Sequence, residues 1–94
     1  MSELRILVVD DELGMRAGVK RALSSFILHL PDIPEPVTFV TVEAADGQEA
    51  REELNAHPPD ILLLDYKLPD TTGLEILQEL NETPRDLLTI MITA

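Results

Sequence analysis

The sequence predicts an α/β fold built on a parallel sheet, and three observations carry that prediction. Short β-branched apolar runs alternate with segments of helical period. Two of those runs end abruptly in aspartate, at Asp10 and Asp65. Helix-starting pairs, Asp46 with Glu49 and Thr72 with Glu75, and helix-ending prolines separate them. The expected order is β-α-β-α-β-α-β, and strands that alternate with helices pair in parallel through right-handed crossovers.

Leu4 to Val9 is a continuous apolar run, read as a buried strand that Asp10-Asp11-Glu12 closes. From Leu13 the period changes. Met15, Val19, Ala22, Leu23, Phe26, Ile27 and Leu30 fall on one face of an amphipathic helix; Arg16, Lys20, Arg21 and Ser24 lie elsewhere on it, and Arg16, Lys20 and Arg21 form a solvated basic strip. His29 to Pro36 holds three prolines, so the helix stops near there and a loop begins. Val37 to Glu43 alternates, with Thr38, Val40 and Val42 on one side, which reads as an edge strand with a more exposed face.

Asp46 opens a second helix that runs to about His57, and Pro58-Pro59 ends it. Ile61 to Leu64 is a third strand, apolar on both faces and ending in Asp65. Lys67 to Thr71 is a turn containing Pro69. Thr72 opens a third helix carrying Leu74, Leu77 and Leu80, with Pro84 beyond its end. Leu87 to Thr93 is a fourth strand, apolar enough to be covered on both faces. Since the sequence ends at Ala94, this strand is expected either to belong to a domain incomplete at its C-terminus or to pair its edge with another chain, giving a homodimer.

Composition narrows the function. The 94 residues suit one domain, and 45% hydrophobic content separates the chain from a disordered acidic tail. Eighteen Asp+Glu against 7 Lys+Arg give a net charge of −11, which argues against direct nucleic-acid binding and against an anionic membrane surface. There is no cysteine, hence no disulfide, thiolate metal site or thiol nucleophile. No signal peptide is read at Met1-Ser2-Glu3, and no apolar run approaches the ~20 residues of a membrane span, so a cytoplasmic location is expected. His29 and His57 lack metal-ligand spacing and read as surface residues or helix caps; Met15 and Met91 read as core packing.

The chemistry lies in the acids at the strand ends. Open α/β sheets bind ligands beyond the carboxyl ends of their strands. If the strands ending at Asp10-Asp11 and at Asp65 are neighbours, three carboxylates converge, repel and raise at least one pKa. A hard divalent cation such as Mg²⁺ resolves that repulsion. The plain reading of Asp10 or Asp11 is a cap for the next helix. Asp65 has no such duty, because the helix after it has its own cap in Thr72.

These segments resemble a known family. Ile6-Leu7-Val8-Val9-Asp10-Asp11-Glu12 is similar to the first strand and acidic pair of a bacterial response-regulator receiver domain. Asp60-Ile61-Leu62-Leu63-Leu64-Asp65-Tyr66-Lys67-Leu68-Pro69-Asp70, followed by Thr72-Gly73-Leu74-Glu75, resembles its phosphoacceptor strand, loop and third-helix start. Ala44-Ala45-Asp46-Gly47-Gln48-Glu49-Ala50 resembles its second-helix entry, and Met91-Ile92-Thr93-Ala94 the end of its fourth strand.

The resemblance implies a flavodoxin-like (CheY-like) three-layer fold with strand order 2-1-3-4, lacking the fifth strand and last two helices, and therefore the family's lysine and aromatic switch residue. It implies that Asp65 accepts a phosphoryl group from a sensor histidine kinase or phosphotransfer protein. Asp10, Asp11, Asp65 and the backbone carbonyl of Lys67 would hold Mg²⁺, Thr93 would be the switch hydroxyl, and Ala94 the small residue beside it. Pro69 and Gly73 would shape the loop after the acceptor. Residues around Leu28 to Pro36 look like a surface insertion distant from the site, and the basic strip of the first helix borders the site as a kinase-docking face.

The expected function is a phosphoacceptor switch in a two-component phosphorelay, a regulatory domain whose only catalysis is its own phosphotransfer and dephosphorylation. A truncated interaction module that self-associates through the fourth strand is the alternative. A phosphatase of the haloacid-dehalogenase type is excluded, because Asp10-Asp11-Glu12 is not the Asp-x-Asp that it needs.

Overall fold

Ile6, Leu7, Val8 and Val9 are all buried, as a run with no polar alternation requires. They form the centre of a four-stranded parallel sheet in a computed structural model that describes residues 2–83 and 86–92. The elements are β1 (Ser2–Val9), α1 (Leu13–Ser24), β2 (Val37–Ala44), α2 (Gly47–Ala56), β3 (Ile61–Asp65), α3 (Gly73–Glu82) and β4 (Leu88–Ile92). The strand order is β2-β1-β3-β4, as expected.

The side-chain period of two divides the sheet into unlike faces. Leu7 and Val9 of β1, Ala44 of β2 and Leu62 and Leu64 of β3 share one face, and Ala50 and Leu54 of α2 and Ile76 of α3 close over them. Val42, Leu68, Leu80, Leu87 and Met91 pack around this cluster. α1 covers β1 and β2 from the other face, making three layers. Among the described residues no helix covers that second face at β4, where Leu88, Ile90 and Ile92 are 60%, 45% and 39% exposed.

Two helices start as expected. The Asp46 side chain accepts the Glu49 N–H at 2.8 Å, and Glu49 accepts the Ala45 N–H at 3.1 Å. Thr72 accepts the Glu75 N–H at 3.3 Å, but Glu75 turns to the Thr71 hydroxyl, 2.6 Å away, instead of back to the cap.

Four expectations need correction. α1 ends at Ser24, so Phe26, Ile27 and Leu30 are not part of its apolar face; they are 49%, 52% and 39% exposed. The chain leaves the helix early because Leu28 pairs antiparallel with Val37, each N–H meeting the other's carbonyl at 2.9 and 2.8 Å. Phe26 then rests against Phe39 with ring centroids 5.9 Å apart. Met15 is 47% exposed and is not core packing. β2 is an edge strand, but neither face is more exposed, because helices lie over both. β4 is covered on one face only, for α1 does not reach it.

Candidate functional site

Parallel pairing of β1 with β3 sets Val8 beside Leu63 and Val9 beside Leu64. One step further brings Asp10 beside the end of β3, where Asp65 closes the strand. Asp10, Asp11 and Asp65 each place a carboxylate oxygen within 4.8 Å of the other two. Asp10 is buried, Asp65 half-buried and Asp11 exposed, so the cluster opens to solvent on one side. The three acids that the strand ends suggested therefore do converge.

Asp10 is held by the local chain. The Asp10 N–H donates to Ala44 of β2 at 3.1 Å, and its carboxylate accepts the Glu12 N–H at 2.9 Å. α1 begins from Glu12 without any side-chain cap, so neither aspartate serves as one. Arg16 donates to the Asp10 carbonyl at 2.6 Å and to the Glu43 carboxylate at 3.2 Å, with its side chain only 12% exposed. That corrects its reading as part of a solvated strip; Lys20 and Arg21 do face solvent.

Burial, above all, pushes the Asp65 carboxyl above the usual carboxylate range. The charges of Asp10 and Asp11 add to the rise, while a long contact from the Lys67 N–H, 3.4 Å away, opposes it. Three clustered carboxylates, one of them partly buried, make a donor set that a hard divalent cation fits, all oxygen and partly open to water. The acids present thus match Mg²⁺.

The loop after Asp65 is pinned at several points. The Tyr66 N–H donates to Ile92 of β4 at 3.0 Å, and the Gly73 N–H to the Tyr66 carbonyl at 2.7 Å. Lys67 bridges to Thr72, and the Leu68 N–H donates to Thr71 at 3.2 Å. Gly73 lies so close that a Cβ there would stand 2.5 Å from the Asp65 carbonyl oxygen. Pro69 is exposed within this loop. Asp70 had no role in the sequence reading, yet it accepts the Gly47 and Gln48 N–H groups of α2 at 2.7 and 3.0 Å. Those bonds hold its carboxyl below the usual range. No local sequence signal links residues so far apart.

Thr93 and Ala94 lie outside the described residues. His29 and His57 are exposed, and His57 pairs with Glu53 at 3.4 Å on α2's last turn. Residues 29–35 sit exposed near the start of β2, where Ser2 donates to Pro36, at the end of the sheet away from the acids. A cleft of about 430 Å³ at that same end, lined by Leu54, Pro58, Pro59 and Leu87, is also remote from them. Among the described residues, no helix is long and apolar enough to cross a membrane.

Comparison with known proteins gives this geometry a setting. The response regulator MprA of Mycobacterium ulcerans is 38% identical over 92 residues, 97% of this chain and 34% of the relative. The transcriptional regulatory protein TrcR of Mycobacterium tuberculosis is 39% identical over 93 residues, 99% of this chain and 32% of the relative. The chain thus spans about a third of the length of these curated relatives. Among solved structures, the response regulator protein TrrA of Thermotoga maritima, in complex with Mg²⁺-BeF, superposes with a TM-score of 0.77 at 30% identity, over 100% of this chain and 70% of that one. The family model of the response regulator receiver domain matches residues 6–94, and with the four-strand order and the acidic cluster in place the chain belongs to that family.

Proposed function

We propose that this receiver domain is a phosphoacceptor switch in which Asp65 takes a phosphoryl group from the phosphohistidine of a sensor histidine kinase or phosphotransfer protein. The convergence of Asp10, Asp11 and Asp65 at the strand ends is the observation that carries this reading. A carboxylate oxygen of Asp65 attacks phosphorus, the P–N bond breaks, and its electron pair leaves with the imidazole, which takes up a proton. Both reactants are anionic, so transfer needs charge neutralisation and in-line positioning more than covalent catalysis.

Asp10, Asp11, Asp65 and the Lys67 carbonyl would hold Mg²⁺, which when bound neutralises the charge between acceptor and phosphoryl oxygens. The presence of Mg²⁺-BeF in the related TrrA structure supports that assignment. Asp10 is fixed by Arg16 and Ala44, so the metal-holding carboxylate comes from a rigid strand end. Thr93 would supply the hydroxyl that meets the new phosphate. The switch belongs to a cytoplasmic phosphorelay, and the relatives' names point to an output in transcription.

The test is incubation with a small phosphodonor and Mg²⁺ followed by intact-mass measurement. One added phosphoryl group, lost in Asp65→Asn and without Mg²⁺, is expected. Labelling that survives in Asp65→Asn would place the acceptor elsewhere.

A further inference from the structure

The loop that follows Asp65 is bound to α2 by contacts from outside the helix's own sequence. α2 already has its own N-cap, since Asp46 accepts the Glu49 N–H. Asp70 comes from a different segment and takes the two remaining first-turn donors, Gly47 and Gln48, at 2.7 and 3.0 Å. The approach is close enough that a Cβ on Gly47 would collide with the Thr71 methyl and meet Asp70 at 3.1 Å. A second strap lies beside it. Arg51 of α2 reaches the Thr71 hydroxyl at 3.4 Å while paired with Glu79 of α3 at 2.8 Å. Both straps fall on the segment between Lys67 and Thr72, whose ends are bridged to each other.

We propose that Asp70 is a positioning residue that fixes the path of this loop against α2, and through it the Lys67 carbonyl that would serve as a metal ligand. This rests on the phosphoacceptor reading above. Asp70 would act without touching metal or phosphoryl group, by holding the backbone beside them. Linkage is reciprocal, so Mg²⁺ at the acids tightens the Asp70 bonds to Gly47 and Gln48.

The test compares two caps of one helix. Asp46→Ala and Asp70→Ala each strip first-turn partners from α2, but only the second frees the loop. Mg²⁺ affinity, followed by the emission of Tyr66, is expected to weaken about tenfold in Asp70→Ala, the scale of lost outer-shell support. It should stay near wild type in Asp46→Ala, and Asp70→Asn, which keeps an acceptor oxygen, should lie between. In the wild type, Mg²⁺ should slow amide exchange at Gly47 and Gln48 more than at Glu49, a readout that needs no variant to fold. Equal affinity in the two alanine variants, or uniform protection along the first turn, overturns the positioning role. A wild type that takes up no Mg²⁺ overturns the metal-dependent function itself, and the role of Asp70 falls with it.

Discussion

Gly73 lies against the main chain of Asp65, with room for a hydrogen but not for a methyl: a Cβ would stand 2.5 Å from the Asp65 carbonyl oxygen. The obstacle is backbone, which cannot rotate away. Gly73→Ala must therefore move either α3 or the end of β3, at a cost of about 2 kcal/mol by the usual scale of overpacking. Denaturant unfolding measures that loss. The acids should also separate, so Mg²⁺ binding should weaken beyond what stability explains. Ile76→Ala, which opens a cavity under a side chain 1% exposed, is the control; it should cost about 3 kcal/mol and leave Mg²⁺ affinity unchanged.

Asp65→Asn removes one of three mutually repelling carboxylates. In metal-free buffer at neutral pH the variant should melt higher than wild type by roughly 3 °C, on the scale of fractions of a kcal/mol for a domain of this size. A variant that melts at or below wild type would contradict the repulsion inferred for the empty cluster.

The same repulsion has a signed pH dependence. The folded-state value of Asp65 is raised, so between the ordinary carboxylate value and that raised value the native state binds more protons than the unfolded chain. Stability from this group therefore falls as pH rises through that window. The gap between Asp65→Asn and wild type should be widest near neutrality and close in acid. Asp70 and Glu79 act oppositely: backbone N–H groups lower the first and Arg51 the second, so their contributions hold above the ordinary carboxylate value and fade as pH drops through the lowered ones. Melts across pH, with and without Asn at position 65, separate the two signs.

Mg²⁺ should stabilise the native chain, since the three acids meet only when β1 and β3 are paired. At a concentration about 100 times its Kd the gain is about 2.7 kcal/mol. Thermal melts against Mg²⁺ check this directly. Tyr66, the chain's single tyrosine in the absence of any tryptophan, adjoins Asp65 and gives an independent titration. A melting temperature indifferent to Mg²⁺ in both wild type and Asp11→Asn is incompatible with a metal at these carboxylates.

The parts of the molecule legible in sequence are those fixed by neighbours in the chain. The caps at Asp46 and Thr72 depend on residues three positions on, and the buried β1 and β3 on unbroken apolar runs. The acids Asp10, Asp11 and Asp65 could be nominated because they end such runs. What sequence did not reveal depends on distant partners. α1 stops at Ser24 because Leu28 is taken by Val37, a pairing that periodicity cannot register. Arg16 looked solvated because its partners, the Asp10 carbonyl and Glu43, come from two strands. Asp70 looked like any turn acid, because the helix that it caps begins 23 residues earlier. Leu88, Ile90 and Ile92 looked buried because their composition says nothing of how far α1 extends.

The pairing of β1 with β3 has one more consequence. Sliding β3 by a single residue would turn Leu62 and Leu64 out of the core and, in the same motion, swing Asp65 to the opposite face from Asp10. Hydrophobic burial and acceptor geometry therefore share one degree of freedom. A chain that has satisfied its core in this register has already assembled its acids. Core substitutions at Leu62 or Leu64 can thus disperse the acidic cluster by a route that leaves every acidic side chain intact.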